Sequence, residues 1–155
     1  MKRLSVAIIT ENEEENIRRC LESVEWADEV VVVDSGSKDN TEKICKEFGC
    51  RFYYSEWLGF SRTKQKAVDY CKNEWVLVLD ADEIVTAELK DAIENILEDP
   101  ECSGYRIRRI SYYLGKQIKH CGWGNDYTLR LFNKNKGHFN DKFVHESVII
   151  EDRQI

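Results

Sequence analysis

The segment VLVLDADEIV, residues 76 to 85, joins an unbroken apolar run to three acidic residues within four positions. Four consecutive branched apolar residues are typical of a strand that is buried on both faces, as in a parallel sheet. Carboxylates repel one another, so their position at the end of such a strand has two interpretations. They are either solvated residues before a helix, whose dipole favours acids, or they surround a positive group.

Around this segment, the first hundred residues alternate strand-like and helix-like patterns. The predicted strands are residues 4–9, 30–33, 51–54 and 75–79, and the helices that follow them end near residues 24, 48, 71 and 97. Thr10 and Glu13 predict a capping box for the first helix, and Asp39 and Glu42 predict the cap of the second, with Gly49 at its end. Such alternation indicates an α/β fold with a mostly parallel central sheet between helices.

After Pro100 the pattern changes. Residues 104–110 alternate in polarity, and LFNKNKGHF, residues 131 to 139, predicts a hairpin around the turn at residues 135–137. We therefore expect a more antiparallel C-terminal part. Because about 55 residues seldom build an independent core, we expect residues 1–155 to form one domain.

Composition excludes several classes of protein. A net charge of −6 and a pI near 5.2 argue against a nucleic-acid partner. Six cysteines without a CxxC pair argue against a zinc site and favour free thiols in a reducing compartment. No apolar run approaches the roughly 20 residues that span a bilayer. The chain opens on a strand without a signal-peptide pattern, so we expect a cytoplasmic protein.

Three polar clusters follow predicted strands: TENEE from residue 10, DSGSKDNT from residue 34 and DADE from residue 80. In an open parallel sheet the carboxyl ends of the strands meet at one edge, where ligands bind. The sequence therefore predicts a ligand crevice at this edge.

The residue types in these clusters suit a phosphorylated ligand. Asp80 and Asp82 could hold Mg²⁺ or Mn²⁺ against diphosphate oxygens, although a lone DxD among eleven Asp residues is a weak signal by itself. Asp34 ends a buried strand and could accept hydrogen bonds from a base or ribose. Lys64 and Arg62 could neutralise phosphate, with a solvated helix face as the alternative interpretation.

The segments IITENEE, VVVDSGSKDNT, GFSRTKQKA and WVLVLDADE, in this order and spacing, resemble family 2 glycosyltransferases with the nucleotide-diphospho-sugar transferase fold of the GT-A type. Ser35 departs from the common VDDGSTDGT pattern. The later GWGNDYTLRLFNK and VHE resemble the lipopolysaccharide core β-1,4-glucosyltransferase-like subfamily. The resemblance covers nearly the whole chain and implies a three-layer sandwich.

The resemblance also implies roles for particular residues. Asp82 would be the more direct metal ligand, with Asp80 as its partner. His145 would complete the metal site or contact phosphate, and a structural histidine is the alternative interpretation. Asp126 would be the catalytic base, although a hairpin-turn Asp is an equally ordinary interpretation. Trp123 and Tyr127 would stack on a sugar or serve as core aromatics. The residues that would bind the nucleotide-sugar are Thr10, Glu13, Asp34, Lys64 and Asp80, with a plain capping box still open for the first two.

The implied reaction is transfer of a hexose, with glucose expected, from a UDP-sugar to a hydroxyl of a glycolipid or oligosaccharide, with inversion and with Mg²⁺ or Mn²⁺. Residues 1–100 would bind the nucleotide-sugar. Residues 101–155 would face the acceptor and would be truncated relative to relatives, which leaves a binding-only domain as an alternative. A nucleotidyltransferase would need a Gly-rich loop where TENEE stands, and a phosphatase would carry its DxD after the first strand.

A basic run in the second part suggests peripheral contact with the inner face of the cytoplasmic membrane or with an anionic glycolipid. A solvated strand face explains the same pattern. The run consists of Arg106, Arg108, Arg109, Lys116 and Lys119.

Overall fold

The computed structural model describes residues 1–113, 116–117, 126–143, 145–152 and 155. Its four helices within these residues are α1 (Ile17–Glu22), α2 (Thr41–Glu47), α3 (Phe60–Tyr70) and α4 (Ala87–Glu98). Its strands are β1 (Leu4–Thr10), β2 (Glu29–Asp34), β3 (Arg51–Tyr54), β4 (Trp75–Asp80), β5 (Gly104–Arg109), β6 (Tyr112–Tyr113), β7 (Lys116–Gln117), β8 (Asp126–Asn133), β9 (Gly137–Phe139) and β10 (Val148–Ile150).

Six strands form the central sheet, in the order β3-β2-β1-β4-β8-β5. The first four pair in parallel, while β8 runs antiparallel to both β4 and β5. Two short antiparallel ribbons, β9–β10 and β6–β7, lie outside this sheet. The predicted α/β class, mostly parallel sheet and more antiparallel C-terminal part are therefore confirmed.

Both faces of the sheet are buried, which explains the unbroken apolar strands. Along β1, Ile8 packs on the face covered by α1, α2 and α4, while Ala7 and Ile9 pack on the face covered by α3 and the β9–β10 ribbon. Every residue of β1 is buried. Helices on one face and a helix with a ribbon on the other give the predicted three layers.

Two predicted helix starts need correction. Thr10 is not a helix cap, because it is the last residue of β1 and α1 begins only at Ile17. The Glu13 backbone N–H instead donates to the Thr41 hydroxyl (2.9 Å), so this stretch is tied to the next helix. The N-cap of α2 is the residue after Asp39, although the Asp39 carboxylate accepts the Thr41 N–H at 3.0 Å.

The predicted hairpin around residues 135–137 is also wrong. A turn is present, since the Lys136 N–H donates to the Asn133 carbonyl (3.0 Å). However, β8 is already paired with β4 on one edge and with β5 on the other. No edge of β8 remains for β9, which pairs with β10 instead.

Among the residues described here, the five cysteines are free thiols, and Cys121 lies outside them. Within the same residues, no helix combines the length and apolar character needed to cross a membrane.

Candidate functional site

The loops after β1 and β2 meet at the carboxyl edge of the sheet, as the strand order predicts. The Asn12 N–H donates to the Ser37 hydroxyl (2.7 Å), and Asn12 Oδ1 accepts the Lys38 N–H (2.8 Å). With the contact between Glu13 and Thr41 (2.9 Å), these bonds join TENEE to DSGSKDNT. The two loops therefore form one continuous surface at the edge of the sheet.

Asp34, at the end of β2, is buried and shapes its own loop. Its Oδ2 accepts the backbone N–H groups of Gly36 (2.9 Å) and Ser37 (2.8 Å), and its Oδ1 accepts the Ser37 hydroxyl. Gly36 has a φ of +104°, a conformation that favours glycine. These three hydrogen bonds show that Asp34 holds the turn after β2. A contact between Asp34 and a ligand remains a prediction.

Thr10 lies opposite Asp34 in the parallel register of β1 and β2. Its side chain is buried, and its hydroxyl has no hydrogen-bond partner among the described residues. A buried hydroxyl without a partner is costly, so this atom is a candidate for ligand contact.

Two of the three acids at the end of β4, Asp80 and Glu83, are paired with cations of the chain itself. Seven side chains of alternating charge form a continuous series across the carboxyl edge, which we call the charge ladder. Neighbours in the series lie within 4.0 Å of each other, and it carries four carboxylates and three cations. In order, its members are Asp126, Arg109, Glu83, Arg130, Asp80, Lys64 and Glu146.

Lys64 projects from α3 into the ladder and is almost fully buried, with 3% of its side chain exposed. Its ammonium lies 2.9 Å from Asp80 Oδ1 and 3.0 Å from Glu146 Oε1. The alternative of a solvated helix face is therefore wrong for Lys64. It is correct for Arg62, which is exposed and paired with Asp141.

The loop between β9 and β10 brings Glu146 to Lys64. The Ser61 hydroxyl donates to Asn140 Oδ1 (2.7 Å), and the Phe143 ring lies over Gly59. A Cβ at Gly59 would stand 2.8 Å from Phe143 Cδ2, and the φ of Gly59 is +87°. Glycine is needed here for both reasons, because it lets this loop pack on the start of α3.

Arg130 is the second buried cation of the ladder, and sequence reasoning missed it. Its Nη2 lies 3.3 Å from Asp80 Oδ2 and 3.0 Å from Glu83 Oε1, and its Nη1 donates to the Val78 carbonyl. Its Nε is buried without a partner among the described residues. The signal that could have revealed it is an arginine inside the apolar strand segment LRLF, residues 129 to 132.

The two carboxylates that share Arg130 respond differently to burial. Burial acts to raise the pKa of Asp80, but the attraction of Lys64 and Arg130 outweighs it and holds that pKa below the ordinary 3.8. For Glu83 burial dominates, and its pKa is raised above 4.5. Glu83 Oε2 also accepts the Asp80 N–H (2.8 Å). Sequence reasoning assigned no role to Glu83, and in the structure it closes the turn after β4.

Asp82 and His145, the other predicted metal ligands, are both exposed. Across the described ranges, the Asp82 carboxylate makes no hydrogen bond or ion pair, and no group of three or more His, Cys, Asp or Glu is arranged to hold a metal. The oxygen donors of Asp80 and Asp82 suit a hard divalent cation. Both Asp80 oxygens are in contact with cations, so a metal ion bound there would share these oxygens with Lys64 and Arg130 or displace them.

Asp126 is the first residue of β8, so the interpretation as a hairpin-turn Asp is wrong. Its Oδ2 accepts hydrogen bonds from Nε (2.8 Å) and Nη2 of Arg109. The structure therefore joins Asp126 to the acids after β4 through the ladder. The neighbouring Tyr127 is exposed, which rules out a core role, and Trp123 lies outside the described residues.

We expect Lys64→Met to lower the free energy of unfolding at about pH 7 by about 3 kcal/mol, because it leaves two carboxylates without their buried cation. Asp80 has a lowered pKa when folded, so its ion pair contributes fully above the ordinary carboxyl pKa of 3.8 and is lost as the pH falls through the lower, folded-state pKa. The difference between variant and wild type should therefore shrink near about pH 3. Urea unfolding at both pH values measures it.

The matched control is Lys46→Met, which removes an exposed pair with Glu42 and should cost less than about 0.5 kcal/mol. Equal costs for the two substitutions at neutral pH would contradict the structural role of Lys64.

Comparison with known proteins extends these observations. The family model described as glycosyl transferase family 2 matches residues 5–150. The chain is 37% identical over 156 residues to an uncharacterized glycosyltransferase of Rickettsia typhi, covering 96% of this chain and 53% of that protein. It is 33% identical over 155 residues to the lipopolysaccharide core biosynthesis glycosyltransferase LpsC of Rhizobium meliloti, covering 96% and 57%.

The chain thus spans about half the length of these curated relatives. Among solved structures, Staphylococcus aureus TarS in complex with UDP-GlcNAc superposes with a TM-score of 0.60 and 27% identity, over 76% of this chain and 37% of TarS. Because the family model matches residues 5–150, the chain belongs to glycosyl transferase family 2.

Proposed function

We propose that the protein transfers a hexose, most readily glucose, from a UDP-sugar to a hydroxyl of a glycolipid or oligosaccharide acceptor, with inversion. The observation that carries this proposal is the position of Lys64 and Arg130 beside Asp80, at the edge where the loops after β1 and β2 also meet. Buried cations at the carboxyl edge of a parallel sheet suit a diphosphate.

On the donor side, Thr10, Glu13 and Asp34 would contact the nucleoside, and Lys64 and Asp80 would lie at the diphosphate. The unpartnered Thr10 hydroxyl supports the first assignment. The UDP-GlcNAc bound in the TarS structure supports a uridine diphosphate donor. Glucose, and a role in lipopolysaccharide core or other envelope glycan synthesis, rest on the subfamily motifs and on the likeness to LpsC.

Asp82, Asp80 and His145 would hold Mg²⁺ or Mn²⁺, which when bound would offset the charge growing on the departing diphosphate. The chain supplies further positive charge from Lys64 and Arg130. These two side chains are fixed by burial, so they would need little reorganisation as the leaving group becomes more negative.

On the acceptor side, Asp126 would take the proton of the attacking hydroxyl. The hydroxyl oxygen forms a bond to C1 of the sugar on the face opposite the diphosphate, and the bond from C1 to the phosphate oxygen breaks to release UDP. Arg109 donates only to Oδ2 of Asp126, so Oδ1 would be the atom that takes the proton. Arg109 would then steady the proton-accepting carboxylate from one side.

Residues 101–155 would form the acceptor-facing half of the domain. The exposed Tyr127 offers a ring for sugar stacking, and the exposed Arg106 and Arg108 on β5 would face an anionic glycolipid at the inner face of the cytoplasmic membrane. The side chains of Lys116 and Lys119 lie outside the described residues. The same arginines also suit a solvated edge strand, where charge prevents unwanted pairing.

A second candidate function is donor binding without transfer. The observation that favours it is the ion pair that occupies Asp126. Turnover separates the two functions, since a binding domain would retain affinity for UDP but release no UDP from UDP-glucose.

We expect UDP with Mn²⁺ to raise the melting temperature strongly and GDP or ADP to raise it much less. At a ligand concentration of about 100 Kd the stabilisation should be about 2.7 kcal/mol. Asp82→Asn should remove the Mn²⁺-dependent part, whereas Asp91→Asn, an exposed residue of α4, should keep it. Thermal shift with each nucleotide measures this. Equal shifts from all three nucleotides would refute the donor assignment.

We expect Asp126→Asn to lower the rate of UDP release from UDP-glucose in the presence of acceptor by about 10²- to 10⁴-fold, with UDP affinity retained, because the base is lost and the donor site is not. The matched control is Asp141→Asn, another exposed carboxylate that pairs with an arginine. A rate loss of the same size in both variants would contradict the assignment of Asp126 as base.

A further inference from the structure

Arg130 has features that a purely structural arginine does not need. It lies beneath the loop that carries the DxD acids, with only 7% of its side chain exposed. Its single positive charge is paired with two carboxylates, those of Asp80 and Glu83. Its Nε has no hydrogen-bond partner within the described part of the chain. Guanidinium has five donors, so this group has spare capacity for an anionic ligand.

A metal ion at Asp80 would compete with the two cations that already contact this carboxylate, because the positive charges repel one another. Lys64 holds one of its oxygens and Arg130 holds the other. If Asp80 turned to a metal alone, these buried cations would lose a partner, which is costly in a site with so little solvent. Diphosphate oxygens would replace the lost carboxylate, since they are strong acceptors for both side chains.

We propose that Arg130 is a diphosphate-binding residue that pairs with Asp80 until the donor arrives. Arg130 and Lys64 would then exchange Asp80 for the diphosphate, and this exchange would couple metal binding to nucleotide binding. The inference rests on the proposed function and adds to it a residue and an order of events. A divalent cation would bind weakly to the free protein, and it would bind tightly once the diphosphate has engaged Arg130 and Lys64.

Contact with Asp80 distinguishes these two cations from the third cation of the ladder. Arg109 approaches Glu83 at 3.9 Å and pairs with Asp126, and 45% of its side chain is exposed. It adds positive charge to the same region, but within the described part of the chain it forms no hydrogen bond or ion pair with Asp80. A substitution at Arg109 therefore distinguishes a general effect of positive charge from the specific exchange of partners at Asp80.

The test is calorimetric titration of the whole chain with MnCl₂ alone, with UDP in the presence of chelator, and with MnCl₂ at saturating UDP. In the wild type, UDP should strengthen Mn²⁺ binding by a factor in the range of about 5 to 150, and Mn²⁺ should strengthen UDP binding by the same factor. Direct ligation of the metal by diphosphate contributes to this factor, so the variants are decisive.

Arg130→Gln should strengthen the binding of Mn²⁺ alone and weaken metal-free UDP binding, each by about tenfold, which is the effect expected for one charged hydrogen-bonding partner. The factor that couples the two ligands should also fall. Arg109→Gln should change each affinity by less than about threefold, because its charge is exposed and screened. Arg18→Gln, which breaks a remote surface pair with Glu47, should change neither.

Far-UV circular dichroism confirms that each variant is folded. If Arg130→Gln does not fold, Lys64→Gln carries the same expectations for Mn²⁺ and UDP. Unchanged UDP affinity in the folded Arg130→Gln variant, or equal effects from Arg109→Gln, would overturn the inference. In that case the binding of UDP to the wild type would still support the proposed function. Absence of UDP binding to the wild type with Mn²⁺ would instead overturn the proposed function and this inference together.

Discussion

The ammonium of Lys64, buried between the carboxylates of Asp80 and Glu146, is the interaction on which the arrangement of this site depends. It connects α3, the end of β4 and the loop between β9 and β10, which are distant in sequence. Removing two carboxylates from water is unfavourable unless a cation accompanies them. The contact therefore ties that loop to the end of β4, and it compensates the charge of Asp80 from within the chain.

This constraint gives the carboxyl edge its chemical character. Parallel strands bring the loops after β1, β2 and β4 to one edge, and the antiparallel β8 adds Arg130 from beneath. Acids and cations then alternate across the edge, and Asp82 is left exposed beside them. In our proposal, this edge exchanges its internal ion pairs for contacts with the diphosphate of a sugar-nucleotide.

Local sequence pattern predicted much of the fold, because buried strands and helices are each recognised from the spacing of apolar residues close together in the sequence. The four parallel strands and the end of α2 at Gly49 followed from such patterns. The capping box at Thr10 failed because tertiary contacts to Thr41 replaced local ones. The partners of Lys64 and Arg130 could not be predicted, since Lys64 and Glu146 are 82 positions apart. The order and spacing of the motifs predicted the family, and the family match over residues 5–150 confirmed it.

The most direct test of this account is a crystal structure of the chain with UDP and Mn²⁺. The account predicts the diphosphate at the carboxyl edge, with Lys64 Nζ and the Arg130 guanidinium within about 3.2 Å of its oxygens, and with Mn²⁺ bound near Asp82. UDP bound elsewhere, or bound at this edge with the contacts of Asp80 to Lys64 and Arg130 unchanged, would contradict it.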